Sequence, residues 1–192
     1  MKKLTSILLL SFALSSFAQE KDKKWSYGFE VGANYSNVIG RDKSNGPGYE
    51  LGISTKRALS DHLFFNPVIS FGYSSARHKD NPLLDYYLNF QPKLNYYLKE
   101  DENSLFFSFA PAYQRRLSSP VLGTDYTKRN NFSLNFGLGL LNKFQFFDLQ
   151  TELRYSFGLT EKLHNPTVPV GPGFKPESPV YFHSIGIYFQ FL

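Results

Sequence analysis

Strict alternation of apolar and polar residues, repeated in eight segments, is the feature of this sequence that most restricts its fold. In the seventh segment, for example, Leu149, Leu153 and Tyr155 alternate with residues such as Gln150 and Arg154. A period of two places apolar side chains on one face of a β-strand and polar side chains on the other, and it does not suit a helix. The eight predicted strands span residues 25–38, 49–59, 63–75, 84–98, 105–117, 132–141, 147–159 and 181–192.

Short turns alternate with longer connections between the predicted strands. The short turns are predicted near residues 60–62, 100–103 and 142–143. The longer connections, rich in Gly, Pro and Asn, are predicted near 39–48, 76–83, 118–131 and 160–179. In outer-membrane barrels the short turns face the periplasm and the longer loops face outside. The pattern therefore predicts an all-β, eight-stranded antiparallel up-and-down transmembrane β-barrel with both termini on the periplasmic side.

The N-terminus has the features of a secretory signal peptide. Lys2 and Lys3 precede a mostly apolar stretch, which ends in the small-x-small cleavage pattern of residues 16–18. The stretch is too short for a stable transmembrane helix, and a charged segment follows it directly. We therefore expect export to the outer membrane of a diderm bacterium. The expected divisions are a signal peptide at 1–18, a short periplasmic segment at 19–24 and the barrel at 25–192.

Composition excludes several other classes of protein. The chain has 20 Phe and 13 Tyr, yet its mean hydropathy is −0.32, and no mature segment approaches 18 consecutive apolar residues, which argues against a helical membrane protein. The absence of cysteine excludes disulfides and thiolate metal sites. The net charge of +5 is small and scattered, so nucleic-acid binding is not predicted.

A soluble barrel such as a lipocalin is the alternative, because it also alternates but turns its apolar face inward. Alternation alone does not separate the two folds. The polar faces, however, consist mainly of Gly, Ser and Asn with interspersed charges, as a crowded polar lumen requires. Tyr and Phe also recur near strand ends, where membrane barrels carry aromatic girdles. These features favour an apolar face that contacts lipid.

Motifs distributed over most of residues 25–192 carry a resemblance to a known family. They are FEVGANYS (29–36), GYELGI (48–53), LSDHL (59–63), NP (66–67), QPKLNYY (91–97), APAY (110–113) and LRYSFGL (153–159). On these motifs the chain resembles the PorT-like outer-membrane β-barrel proteins common in Bacteroidota. The resemblance implies the barrel fold and, through the family's namesake, an accessory role in protein secretion across the outer membrane. Strands of such barrels usually end on an aromatic residue, but here Phe191 is penultimate, which leaves the register of the last strand open.

Charged residues on the polar face form a predicted lumen network. An eight-stranded barrel is only wide enough for side chains to fill its interior, so no solute channel is expected and the charges must pair. The alternative is a path for protons or ions. The predicted structural network consists of Glu30, Glu50, Lys56, Lys93, Arg116, Glu152 and Arg154.

Three prolines, Pro67, Pro92 and Pro111, fall on the apolar face of consecutive predicted strands. Each removes one hydrogen-bond donor from a closed sheet, so we expect bulges at similar height on one wall. Such bulges would either shape the barrel or create a docking surface for a partner within the membrane.

Basic residues predominate in the expected outer connections. They are Arg41, Lys43, Arg77, Lys79, Lys128 and Arg129. A basic rim suits the phosphates of lipopolysaccharide, although ordinary solvated charges explain it almost as well. The predicted partners are therefore outer-membrane lipid, lipopolysaccharide and other envelope or secretion proteins. The Pro-rich segment 164–179 is either a recognition element or a plain connection.

An enzymatic role receives little support from the sequence. A lipid acyl hydrolase or transferase needs a Ser/His/acid constellation near the outer leaflet, which only His78 and His183 could approach, and no nucleophile motif accompanies them. No catalytic, cofactor or metal site is predicted. The expected function is a non-catalytic structural or interaction role in the envelope; the secretion role is the alternative, and lipid hydrolysis or transfer is a third hypothesis.

Overall fold

The computed structural model describes residues 25–39, 44–78, 81–99, 103–118, 130–160 and 181–192. Their strands are β1 (Ser26–Ile39), β2 (Ser44–Ala58), β3 (Leu63–His78), β4 (Asn81–Tyr97), β5 (Asn103–Ser118), β6 (Asn130–Lys143), β7 (Asp148–Gly158) and β8 (Tyr181–Phe191). Each strand pairs antiparallel with the next, and β8 pairs with β1, so the sheet closes into a barrel. The predicted eight-stranded antiparallel barrel is confirmed. The expected signal peptide and the segment 19–24 lie outside the described residues.

The alternation of the sequence determines which side chains face outward and which face the lumen. Large apolar side chains cover the outer wall and remain exposed, up to 74% for Tyr27 and 68% for Ile53. The lumen side carries buried polar groups, and Glu30 and Arg154 are each 1% exposed. This distribution is the reverse of a water-soluble barrel and matches a barrel whose wall contacts hydrocarbon. Among the described residues there is no helix of the length and hydrophobicity needed to cross a membrane.

Closure between the first and last strands settles the register of β8. Phe191 lies opposite Phe29 in β1 and opposite Leu149 in β7. The rings of Phe29 and Phe191 stack with centroids 4.6 Å apart on the outer wall. Leu192 adds a reciprocal pair of backbone hydrogen bonds with Asp148. The penultimate position of Phe191 is therefore compatible with full pairing of the last strand.

Two of the predicted longer connections, 39–48 and 76–83, are wrong. Only residues 40–43 separate β1 from β2, and only 79–80 separate β3 from β4. The glycines that resemble turn residues here serve close packing within strands. A Cβ on Gly46 would overlap the backbone oxygen of Ser75, and one on Gly48 would lie 2.6 Å from Oδ1 of Asn34. Short and long connections therefore do not alternate strictly. We call the barrel end with connections 40–43, 79–80, 119–129 and 159–180 the loop end, and the opposite end, which holds both described termini, the turn end.

The three prolines form a row across neighbouring strands, on the apolar face as predicted. Pro67 of β3 lies opposite Pro92 of β4. The β4–β5 pairing has a gap at Pro92, and the register on both sides of this gap places Pro92 opposite Pro111 of β5. Pairing is interrupted on the β2–β3 seam beside Pro67 and on the β4–β5 seam beside Pro92 and Pro111. The register is the same before and after each interruption, so the predicted bulges are wrong at these positions. The register shift in the β4–β5 pair lies elsewhere, at Tyr86 and Tyr87.

A side chain replaces the backbone donor that Pro67 lacks. The register places Thr55 of β2 opposite Pro67, and the Asn66 amide Nδ2 donates to the Thr55 carbonyl oxygen at 2.7 Å. Asn66 is fully buried, and its hydrogen bond to the Thr55 carbonyl is partly buried. The missing ladder bond is thus supplied from the neighbouring residue, which allows proline inside a closed sheet.

We expect Asn66→Ala to lower the free energy of unfolding by about 1–2 kcal/mol, because the partly buried Thr55 carbonyl loses its donor. Pro67→Val restores a backbone N–H at the interruption, so the same Asn66→Ala change should cost less in that background. Urea unfolding of the detergent-refolded barrel measures both costs. If Asn66→Ala costs the same in both backgrounds, the Asn66 side chain does not replace the backbone donor that Pro67 lacks.

Candidate functional site

The middle of the lumen holds a neutral group of two acids and two bases, which we call the charge quartet: Glu30, Lys93, Glu152 and Arg154. β1, β4 and β7 supply these side chains. Lys93 Nζ donates to Glu30 Oε2 at 3.1 Å and to Glu152 Oε2 at 2.9 Å. Ser108 of β5 adds a hydrogen bond of 2.6 Å to Glu152 Oε1. The quartet therefore joins strands that are not neighbours in the sheet.

Arg154 is the best-connected member of the charge quartet. Its Nη2 lies 2.9 Å from Glu30 Oε2 and 3.0 Å from Glu152 Oε2. Nε donates to Glu152 Oε1, and Nη1 donates to Glu30 Oε1 and to Gln91 Oε1. These bonds match in number the five N–H donors of a guanidinium. Because buried charges need both ion pairing and complete hydrogen bonding, this geometry explains how charges persist in the barrel interior.

A second cluster lies next to the quartet, on the loop-end side, and centres on Glu50. Tyr87 donates to Glu50 Oε1 at 3.1 Å and Ser70 donates to Oε2 at 3.1 Å. Longer bonds of 3.4 Å come from Asn89 and Tyr188. The ring of Tyr188 also lies over the Arg154 guanidinium, whose central carbon is 3.7 Å from the ring centroid. This cation–π contact links the two clusters.

An apolar plug closes the turn end of the lumen. Tyr97, Phe106 and Leu141 pack together, with Phe64 against them. Lys56 lies over this plug, with Nζ 4.9 Å from the Phe64 ring centroid and 5.0 Å from that of Tyr97. Lys56 is therefore held by aromatic rings and does not belong to the charge quartet.

A small polar cavity of about 30 Å³ lies at the loop end of the lumen. Glu50, Asn89, Asn135 and Ser184 are among its lining residues. The cavity has room for about two water molecules. Together the plug, the charge quartet and the Glu50 cluster occupy the described lumen on the turn-end side of this cavity, which favours a structural polar core over an ion path.

The predicted lumen residues thus separate into groups. Glu30, Lys93, Glu152 and Arg154 come together in the charge quartet, whereas Glu50 and Lys56 occupy the layers on either side. Arg116 is half-buried and lies opposite Tyr87 in the β4–β5 register, nearer the loop end.

The aromatic side chains of the lumen were not predicted from the sequence. Tyr87, Phe106 and Tyr188 share the inward parity of the polar residues around them, and each lies opposite a glycine. A Cβ at Gly32 would overlap the Tyr188 ring, and one at Gly72 would overlap the Tyr87 ring. The sequence signal that could have revealed these side chains is a large aromatic residue on the polar face of one strand opposite a glycine on the neighbouring strand.

The predicted rim and the histidines are only partly described. Arg41, Lys43, Lys79, Lys128, Arg129 and the segment 164–179 lie outside the described residues; of Arg77 only the backbone is described, in β3. His62 Nδ1 donates to the Tyr97 carbonyl oxygen at the turn end. His183 hydrogen bonds to the Tyr155 hydroxyl at 2.8 Å and packs against Phe157. Within the described part of the chain, no group of three His, Cys, Asp or Glu could hold a metal ion.

Comparison with known proteins identifies the fold. No protein-family model matches the chain, and a search of the curated proteins finds no match. Among solved structures, the outer membrane enzyme PagL shares 18% identity and a TM-score of 0.51, over 84% of this chain and 97% of PagL. Neisserial surface protein A (NspA) shares 11% identity and a TM-score of 0.54, over 87% and 97%. At these identities the similarity establishes the fold of an eight-stranded outer-membrane barrel and nothing more specific.

Proposed function

We propose that this chain is an outer-membrane β-barrel with a non-catalytic structural or interaction role in the cell envelope. The observation that carries the proposal is the filled lumen inside an apolar wall. A barrel whose interior is occupied by paired charges and an apolar plug offers its wall and its two ends, rather than its interior, to other molecules. The signal-like N-terminus supports export, and the barrel architecture supports a loop end that faces outside.

Fractionation and gel mobility test the membrane location. We expect the protein in the outer-membrane fraction and faster migration on a gel before boiling than after boiling, because a closed barrel resists unfolding by detergent. A soluble periplasmic protein whose mobility does not change on boiling would overturn the proposal.

Conductance tests the filled lumen directly. Reconstituted in a planar bilayer, the barrel is expected to show no stable ion conductance, because the plug, the quartet and the Glu50 cluster block the path in series. A porin in the same bilayer provides the positive control. Steady ohmic steps from the purified barrel would instead support the ion-path alternative.

The enzymatic alternative can be tested by measuring lipid acyl release. A lipid acyl hydrolase or transferase would need a nucleophile beside its histidine, and among the described residues His183 contacts Tyr155 and Phe157 on the outer wall. Acyl release from phospholipid or lipid A, lost in a His183→Ala variant, would establish that activity and displace our proposal.

The secretion role that the resemblance implies would use the wall as a docking surface. The row of Pro67, Pro92 and Pro111 is the feature that favours such a partner. Crosslinking in intact cells from positions beside Pro92 and Pro111 tests it, and a defined envelope protein captured there would support the accessory role.

A further inference from the structure

An apolar groove of about 560 Å³ crosses the outer wall from β1 to β4. Its lining includes Tyr27, Ile53, Phe65, Pro67, Ile69 and Phe90. The groove includes the place where pairing of β2 with β3 is interrupted, opposite Thr55. The compact ring of Pro67 lies there between larger side chains, which accounts for the depression. On a wall that faces hydrocarbon, such a depression must be filled by an apolar chain.

A cationic residue borders this groove on its turn-end side. Arg57 lies opposite Phe65 and two residues beyond Thr55, on the same outward face. Its guanidinium carbon is 5.5 Å from the centroid of the Trp25 ring. Trp25 in turn lies two residues before Tyr27, another lining residue. Tryptophan, tyrosine and arginine are the residues that gather at the level of lipid headgroups.

We propose that this groove is a phospholipid site of the leaflet at the turn end, with an acyl chain along the groove and the headgroup phosphate at Arg57. An anionic head joined to an apolar chain matches an arginine at one end of an apolar channel. Guanidinium groups bind phosphate oxygens in a bidentate manner, which gives the head a defined position. A protein partner would instead need a contact area on the order of 800 Å² per partner, far larger than the lining of this groove. The inference rests on the proposed membrane location.

Native mass spectrometry of the barrel, extracted in a mild detergent, tests the site. We expect one phospholipid to remain bound to the wild-type protein. After delipidation, titration with phosphatidylglycerol should show about tenfold weaker binding by Arg57→Gln, which loses a charge-assisted contact. Thr55→Phe should also lose the lipid, because its ring fills the groove.

Matched controls separate this site from general lipid coating. Thr151→Phe makes the same change on an outward position of β7, on the opposite wall, and Arg115→Gln removes an outward arginine near the loop end. Both should bind lipid as the wild type does. Three outcomes in a heat-modifiable barrel would overturn the lipid site alone. They are the absence of stoichiometric lipid, equal lipid binding by Arg57→Gln and Arg115→Gln, and a mass that corresponds to a dimer or to a bound protein. A soluble protein overturns the membrane location as well.

Discussion

Replacing Arg154 with methionine is expected to lower the free energy of unfolding of the barrel by about 3–5 kcal/mol. Methionine fills much of the volume of the arginine side chain, so the loss of stability reports mainly the lost charge and hydrogen bonds. The variant leaves two fully buried carboxylates, Glu30 and Glu152, with Lys93 as the remaining quartet cation. A buried ion without its partner costs more than the intact pair contributed. The Tyr188 ring also loses the guanidinium packed beneath it.

Urea unfolding of the refolded barrel in detergent micelles measures this effect, followed by the fluorescence of Trp25, the only tryptophan of the sequence. Arg115→Met is the matched control, because it makes the same change at an exposed outward position and should cost less than about 0.5 kcal/mol. Combining Arg154→Met with Glu152→Gln restores the balance of one acid and one base, and we expect it to recover part of the loss. Equal stabilities of Arg154→Met and Arg115→Met would show that the quartet does not hold the barrel together.

The sequence predicted the strands and the orientation of their faces because both follow from local alternation. Parity along a strand determines whether a residue such as Lys93 or Glu152 faces the lumen, and no knowledge of the remaining fold is needed. Pairing inside the lumen is different. Glu30, Lys93 and Arg154 meet across β1, β4 and β7, which are not adjacent in the sheet, so their contact depends on barrel closure and stagger.

Connection lengths were predicted poorly at the loop end for a related reason. Gly46, Pro47 and Gly48 form a turn-like cluster, and local rules assign such clusters to loops. In the barrel β1 supplies pairing partners for all three residues, β3 pairs with Gly48, and the two glycines are required by close contacts with β3 and β1. Tertiary pairing thus overrides local turn preference. The lumen aromatics were missed because an aromatic residue on the polar face becomes informative only when the glycine opposite it is known.

Gly32→Val is expected to lower the free energy of unfolding by about 2–4 kcal/mol, from overpacking and from lost hydrogen bonds together. A Cβ at this position overlaps the Tyr188 ring, which lies directly opposite in β8. Moving that ring disturbs its contact with Arg154 and its hydrogen bond to Glu50 at once. Valine forms β-strands better than glycine does, so local propensity alone would give the opposite sign.

A double-mutant cycle with Tyr188→Ala isolates the glycine–aromatic pair from other effects of either change. Removing the ring creates space for the valine methyl groups, so Gly32→Val should cost little in that background. We expect a coupling energy of about 2 kcal/mol, at the upper part of the range for residues in direct contact. Urea unfolding of the four proteins gives this value. If Gly32→Val costs the same with and without the ring, the Tyr188 ring is not what excludes a larger side chain from position 32.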